Sequence, residues 1–366
     1  MLFIAKHRGT QGREITNLSE NTSLSERPDK LKLESESVMV CRMVGTNNSL
    51  KVGVWGTDLG IPVITYINGQ KKIAFLFGDV FSPPSGGANA IAYADFPIDG
   101  CPDLTWVTDE KGRFREMWSS QRKDGVDAST VPAGAIDIDG TLYVYAMRVT
   151  HWKKKLSKDD VTHAYGVLFK HTSNGEYVET DVRWGLDSKF VNVAPVLGRL
   201  PDGSKVLFLV ASGQYRESPI YLAYVSLDHI EDIDYYMYFT GLVDGQPQWS
   251  PNIEEAVPII DSVNVGELSI IYHDKLGLYI LMFKDWSLGG GLKIMTAHDP
   301  WGPYSDPTTL SPCYPKPSWF DKNWGGCYGG YLVPGSYGVD GKDLYYILSI
   351  WRPYATFLMK IRLTNV

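Results

Sequence analysis

The stretch Ile61-Pro62-Val63-Ile64-Thr65-Tyr66-Ile67-Asn68-Gly69-Gln70-Lys71-Lys72-Ile73-Ala74-Phe75-Leu76-Phe77 decides the fold class. Two apolar runs flank Asn-Gly, the pair best suited to a two-residue hairpin turn whose central residues both take positive φ. The second run, Ile73–Phe77, is apolar at every position, so both of its faces need cover. The same pattern returns four times. Ala135–Ile138 and Leu142–Met147 flank Asp139-Gly140, and Val196–Leu200 and Val206–Val210 flank Asp202-Gly203. Leu268–Tyr272 and Leu278–Phe283 flank a turn at Asp274–Gly277; Gly330–Val333 and Leu344–Ile350 flank Asp340-Gly341. The turn glycines at 69, 140, 203, 277 and 341 recur every 63 to 74 residues. Five near-even copies predict an all-β, five-bladed β-propeller of four-stranded antiparallel units. A two-sheet sandwich would show more alternation along its strands.

The last unit is short of chain. Between Tyr328 and Val366 there is room for three strands, Gly330–Val333, Leu344–Ile350 and Thr356–Leu363. A strand over residues 37–44 (SVMVCRMV) is expected to join this last blade, closing the ring and removing an exposed edge. The chain of 366 residues therefore reads as a polar N-terminal extension over 1–36 and a single propeller over 37–366. Length alone would suggest two or three domains.

Composition narrows the function. Apolar residues make up 44%, enough for a full core, and aromatics reach 13%. A formal charge of −7 argues against a partner held by phosphate neutralisation, so no nucleic acid is expected. No run approaches the roughly 20 apolar residues of a membrane span. The start, Met1-Leu2-Phe3-Ile4-Ala5-Lys6-His7-Arg8, lacks the order of a secretory leader, whose basic part comes first. Action outside the cell would then need another route, such as carriage on a virion or release on lysis. Cys41, Cys101, Cys313 and Cys327 form no C-x-x-C pair; they read as four reduced thiols, with a Cys313–Cys327 bridge as the alternative. No metal constellation, P-loop or nucleophile elbow stands out, so neither metal nor cofactor is expected.

A propeller gathers the ends of its inner strands about one axis, so candidate chemistry lies at strand ends. Asp58 opens the first strand of the first hairpin and Asp79 follows the second, which sets both on the same rim. Two carboxylates on one rim can divide acid and base or nucleophile roles when their environments separate their pKa values. Taken singly, each is also ordinary turn chemistry. Glu267 takes the place of Asp58 in the fourth unit and Arg216 that of Asp79 in the third. Both are expected to hold sugar hydroxyls or tune the acid. Late aromatics cluster at Trp319, Trp324, Tyr328, Tyr331, Trp351 and Tyr354. Most of these should pack between blades, while Tyr331, Trp351 and Trp319 are expected to meet a carbohydrate ring.

Gly56-Thr57-Asp58-Leu59-Gly60 followed by Phe77-Gly78-Asp79 resembles the opening of the bacterial and phage family called domain of unknown function 4185. Further matches are Gly266-Glu267-Leu268-Ser269 with Tyr272, Tyr328-Gly329-Gly330-Tyr331 with Pro334, and Ser349-Ile350-Trp351 with Pro353-Tyr354. The segment from Gly213 to Val225, with Arg216 ahead of Leu222-Ala223-Tyr224-Val225, is similar as well. The matches run in order from about residue 37 to the end of the chain. That resemblance implies a five-bladed propeller, and for some members an endo-D-arabinanase of glycoside hydrolase family 183. It implies Asp58 and Asp79 as the catalytic pair, the same two residues that the rim argument selects. The sequence departs from the family at Val80, often Thr or Ser there, and in the segment 1–36.

Two functions follow as expectations. The first is a glycosidase cutting α-linked D-arabinofuranose chains of arabinogalactan or lipoarabinomannan, cell-wall polysaccharides, from within the chain. The second is a carbohydrate-binding propeller without catalysis, a phage tail component or surface adhesin, with the N-terminal extension as its attachment to a virion or cell surface.

Overall fold

Asn68-Gly69 and Asp139-Gly140 turn as their sequence requires: φ is 50° and 76° in the first pair, 51° and 84° in the second. These turns appear in a computed structural model that describes residues 27–34, 36–154, 160–287, 290–310 and 325–364. Among those residues every named strand pairing is antiparallel. A short strand β1 (Val38–Arg42) comes first. It is followed by a four-stranded sheet of β2 (Gly56–Ile67), β3 (Gln70–Phe81), β4 (Ala90–Asp95) and β5 (Thr105–Trp106). The next sheet holds β6 (Ser129–Ile138), β7 (Thr141–His151), β8 (His163–His171) and β9 (Tyr177–Arg183).

Then come β10 (Asn192–Arg199), β11 (Lys205–Ser212), β12 (Ser218–Ser226), β13 (Met237–Val243) and β14 (Gln246–Ser250). They share a nine-stranded sheet with β15 (Ile260–His273), β16 (Leu278–Asp285), β17 (Leu292–Ala297) and β18 (Thr308–Leu310). The two groups join through two residue pairs between β12 and β15, Ser218 with Val265 and Ile220 with Ile260. The last sheet contains β19 (Cys327–Leu332), β20 (Asp343–Ile350) and β21 (Ala355–Arg362).

The doubly apolar second strands are buried as their composition demands: Ile73–Phe77 in β3 and Val206–Val210 in β11 lie in the core along their length. The first strands touch one another in succession. β2 meets β6, β6 meets β10, β10 meets β15, β15 meets β19, and β19 meets β2. The start of every first strand is therefore brought near the others, however far apart in sequence.

β1 pairs with β21, with Val38 opposite Lys360 and Arg42 opposite Phe357, so an N-terminal strand completes the last sheet. Residues 32–34 continue along the same edge: the Glu34 amide donates to Arg362 O and the Thr364 amide to Lys32 O. Leu31 and Leu33 pack on the core.

The cysteines differ from the expected reduced thiols. Cys41 on β1 and Cys101 in the loop after β4 form a disulfide, with Cα atoms 5.7 Å apart. The pairing is between residues 60 apart in sequence and exists because β1 lies beside the last sheet while reaching the first. Nothing local in the sequence marks it. Cys327 is also disulfide-bonded, and Cys313 lies outside the described residues. No helix among the described residues is long and apolar enough to cross a membrane.

Closing a loop of this length removes chain entropy worth about 4 kcal/mol from the unfolded state. Replacing Cys41 and Cys101 by Ser should lower the unfolding free energy by an amount of that order in urea. A loss below about 1 kcal/mol would mean that β1 is held by its strand pairing alone.

Candidate active site

Asp58 sits where the ladder between β2 and β3 is interrupted. Thr57 pairs with Val80 and Leu59 with Phe77, leaving Asp58 opposite Gly78-Asp79 in an irregular step. Irregular steps of this kind turn side chains out of the regular pleat and recur beside functional sites. Two glycines make room. A Cβ at Gly78 would collide with Asp58 Oδ1 and the Leu59 side chain, and one at Gly56 would collide with the Tyr354 carbonyl. The G-T-D-L-G and F-G-D motifs thus have a steric reason.

The two acids are held from opposite neighbours. Tyr328 and Tyr354, from the last sheet and its loop, donate their hydroxyls to the same Asp58 oxygen, Oδ2, at 2.7 and 2.8 Å. The Leu59 amide donates to Ser349 Oγ at 3.0 Å, fixing the backbone beside Asp58 to that sheet. Asp79 instead accepts a 2.8 Å hydrogen bond from Ser129 Oγ, at the start of β6.

Burial pushes the Asp58 carboxyl up to about 7; the nearby Asp79 charge adds to the rise, and the two tyrosine hydroxyls oppose it. Burial also raises Asp79, while Ser129 and the Arg122 charge favour its anion. Close carboxylates do not ionise together, so the pair gives up its protons in two steps. The larger rise, from burial and from the Asp79 charge, is at Asp58, which leaves the proton on Asp58.

Below the acids lies a small pocket of about 30 Å³ lined from every first strand, by Asp58, Val131, Asn192, Glu267 and Tyr328 among others. Glu267 is 5% exposed and accepts from Tyr215 at 2.5 Å and from Arg216 at 2.6 Å. The Arg216 guanidinium lies 3.9 Å over the Trp286 ring and 4.5 Å from that of Tyr215. Three buried atoms here have no hydrogen-bond partner: Asp58 Oδ1, Glu267 Oε2 and Arg216 Nε.

Backbone strain collects around the same groups. Of the five described residues other than Gly, Asn and Asp with left-handed φ, four are Leu59, Arg122, Arg216 and Tyr354. Each adjoins Asp58 or acts on Asp58, Asp79 or Glu267. Such conformations cost about 1–2 kcal/mol each, and they gather where function holds them.

Above the acids the pocket opens into a cleft of about 960 Å³ whose walls include Trp152, Lys153, Lys154, Trp286, Trp351 and Tyr354. Among the expected site residues, Asp58, Asp79 and Arg216 line this cleft, and Glu267 lies in the pocket beneath. Trp351, 57% exposed, stands at the cleft mouth.

Tyr331 corrects its expected role. It is 2% exposed and packs beneath the acids because it occupies an inner strand, so its ring offers no face to a ligand. The Arg216 and Glu267 charges face each other, which limits the direct hold on a ligand that was expected of them. Trp319 and Trp324 lie outside the described residues.

Trp152 and Trp286 were not singled out by sequence reasoning, although a signal existed. Each directly follows the second strand of its hairpin, as Trp351 does, and that is the place whose logic selected Asp79 and Arg216. The paired tyrosine donors to Asp58 were also missed; only the folded chain brings Tyr328 and Tyr354 to residue 58.

The fold and site define an antiparallel all-β protein with two unlike carboxylates in an aromatic cleft where separate sheets converge. The chain belongs to the family described as a domain of unknown function (DUF4185), whose model matches residues 44–360. No curated protein matches it. Among solved structures it is similar to a provisionally assigned hydrolase of Bacteroides ovatus, at 12% identity and TM-score 0.57. That match covers 93% of this chain and 97% of that one. An α-L-arabinanase mutant of Cellvibrio cellulosa is 12% identical with TM-score 0.48, over 84% of this chain and 92% of that one. A GH43_1 enzyme of Xanthomonas citri is 12% identical with TM-score 0.48, over 90% and 91%. At this identity the likeness to the Bacteroides protein is one of fold.

Folding raises the Asp58 pKa, so its protonated form is the one that favours the native state. That stability is full below the unfolded value near 4 and is lost as pH rises through about 7. Asp58→Asn should therefore be more stable than the parent at pH 8 by about 4 kcal/mol, with the gap closing by pH 4. Thermal melts across that range test it; an unchanged gap would show that Asp58 titrates normally.

Proposed function

We propose that this protein is a glycoside hydrolase built as a single five-bladed propeller over residues 37–366, with Asp58 and Asp79 as its catalytic pair. The ring reading is supported by the closed succession of contacts among β2, β6, β10, β15 and β19 and by the pairing of β1 with β21. The observation that carries the chemistry is the unequal support of the two acids: phenols and burial around Asp58, a hydroxyl and a distant guanidinium around Asp79.

Asp58 holds the proton near neutral pH and delivers it to the leaving glycosidic oxygen. Asp79, ionised, acts on the anomeric carbon, directly or through water. The Tyr328 and Tyr354 hydroxyls then stabilise the carboxylate that forms on Asp58 when the proton leaves. The substrate we assign is an α-linked D-arabinofuranose chain of the arabinogalactan or lipoarabinomannan type, cut internally. Family membership supports that class. The aromatic walls support a polymer: Trp152 and Trp351 belong to the two sheets adjoining the acid-bearing one, so the cleft offers ring faces on both sides of the acids. Action outside a reducing cytosol fits the Cys41–Cys101 disulfide.

Asp58→Asn and Asp79→Asn should each lower the release of new reducing ends from arabinogalactan by at least about a hundredfold, with the parent's circular dichroism retained. For the parent, kcat/KM should fall above about pH 7 as Asp58 loses its proton. Binding of arabinogalactan with no new reducing ends in the parent would replace the enzyme by a carbohydrate-binding propeller. Full activity in either variant would remove that residue from the chemistry.

A further inference from the structure

His151 ends β7, directly before the cleft residue Trp152, and both of its ring nitrogens face carboxylates. Nδ1 lies 3.0 Å from Asp124 Oδ1, and Nε2 lies 2.9 Å from Asp160 Oδ1. An ionised carboxylate only accepts, and a neutral imidazole has a single N–H. Two carboxylates on one ring therefore require the doubly protonated, charged form. The same two acids also hold the chain that follows. The Lys154 amide donates to Asp160 Oδ2 at 2.9 Å, the Lys154 ammonium pairs with Asp124 Oδ2, and the Lys153 amide donates to Thr162 Oγ1 at 3.2 Å. Trp152, Lys153 and Lys154, and Thr162 with them, line the cleft. The Trp152 ring meets Tyr215 edge-on at 5.8 Å, and Tyr215 donates to Glu267.

We propose that His151 is a positioning residue for the cleft. As an imidazolium bridging Asp124 and Asp160 it fixes Trp152-Lys153-Lys154 on the cleft wall, and ligand binding weakens when that proton leaves. The proposal rests on reading the cleft as the glycan site. Among the described residues, the charged groups facing His151 come from three directions. From the preceding loop comes Asp124, held below the usual carboxylate range chiefly by Lys154. From the following segment come Lys154 and Asp160. From β8 comes His163, whose ring centre is 6.2 Å away and whose Nδ1 faces Asp187 Oδ2 at 2.6 Å. The Asp160 and Asp124 carboxylates hold the His151 charge above the usual histidine range. Deprotonation leaves one ring nitrogen with a lone pair against a carboxylate oxygen, so one half of the bridge turns from attractive to repulsive. Loosening this solvent-screened bridge should weaken ligand binding by roughly three- to tenfold.

The first measurement needs no glycan. Trp152 emission, taken as the difference between the parent and Trp152→Phe, should shift to the red and become more open to acrylamide quenching between pH 6 and 8.5. His151→Arg keeps a permanent two-sided donor and should hold the pH 6 signal throughout; His151→Gln should show the loosened signal even at pH 6. With arabinogalactan, KM of the parent should rise three- to tenfold over the same range relative to that of His151→Arg, while kcat follows the same profile in both. A Trp152 signal that ignores pH, or titrates alike in the parent and His151→Arg, would overturn the proposal. A His151-dependent Trp152 signal in a protein that cleaves no glycan would support the positioning role and count against the glycosidase reading instead.

Discussion

The candidate site exists only because the first and last sheets are held side by side. Asp58 lies on β2, yet its two phenol donors and the hydroxyl that fixes its backbone come from residues 328, 354 and 349, at the far end of the chain. The pairing of β1 with β21 keeps those ends together, and the Cys41–Cys101 disulfide ties β1 onward to the loop after β4. Without that join β21 would have an open edge, and a last sheet that came away from the first would leave Asp58 facing water. A carboxylate in water keeps an ordinary pKa. The join is thus also an electrostatic device, since it excludes solvent from the acid and supplies the groups that later accept its charge.

The neighbouring sheets divide the two acids' environments. Asp58 is served by the last sheet and Asp79 by β6, so each has its own hydrogen-bond donors, while the charge of Asp79 still acts on Asp58. Glu267 sits near enough to raise Asp58 further, and Arg216, clamped by Glu267 and stacked on Trp286, balances that third carboxylate. The arrangement keeps an excess of negative charge close to the proton-bearing acid without leaving Glu267 unpaired. A simple cluster of three acids would not keep this difference, because mutual repulsion alone raises whichever group ionises last.

Much of this was legible in the chain. Turn chemistry and doubly apolar strands mark the hairpins, and the antiparallel geometry of the first one sets Asp58 and Asp79 at the same end. Equivalent positions in the repeat explain Arg216, and the same rule applied without a preference for charged residues would have found Trp152 and Trp286. What stayed hidden depends on where separate sheets meet. The Asp58–Tyr354 contact spans 296 residues and the disulfide 60, and no local pattern encodes either. Tyr331 misled for a related reason: beside glycines it looks like an exposed platform, but its strand is an inner one and covers its ring. Hairpin chemistry is local, whereas the partner of a buried polar atom is set by tertiary packing.

The cost of the site bears on what it is for. Asp58 Oδ1, Glu267 Oε2 and Arg216 Nε are buried without partners, and each such atom costs about 1–3 kcal/mol. Leu59, Arg122, Arg216 and Tyr354 add left-handed backbone around the same few groups. A propeller that only displayed a sugar-binding face would need its exposed rings and nothing beneath them. Apolar residues at 58 and 267 would fill that space more stably, as replacements of buried charges often do. Keeping a protonated acid beside an ionised one, against this cost and with donors aimed at the oxygen where charge will form, has a use when a proton must be handed over and its loss tolerated. The unpartnered atoms and strained backbone around Asp58 and Glu267 thus support the acid and base roles proposed for this cleft.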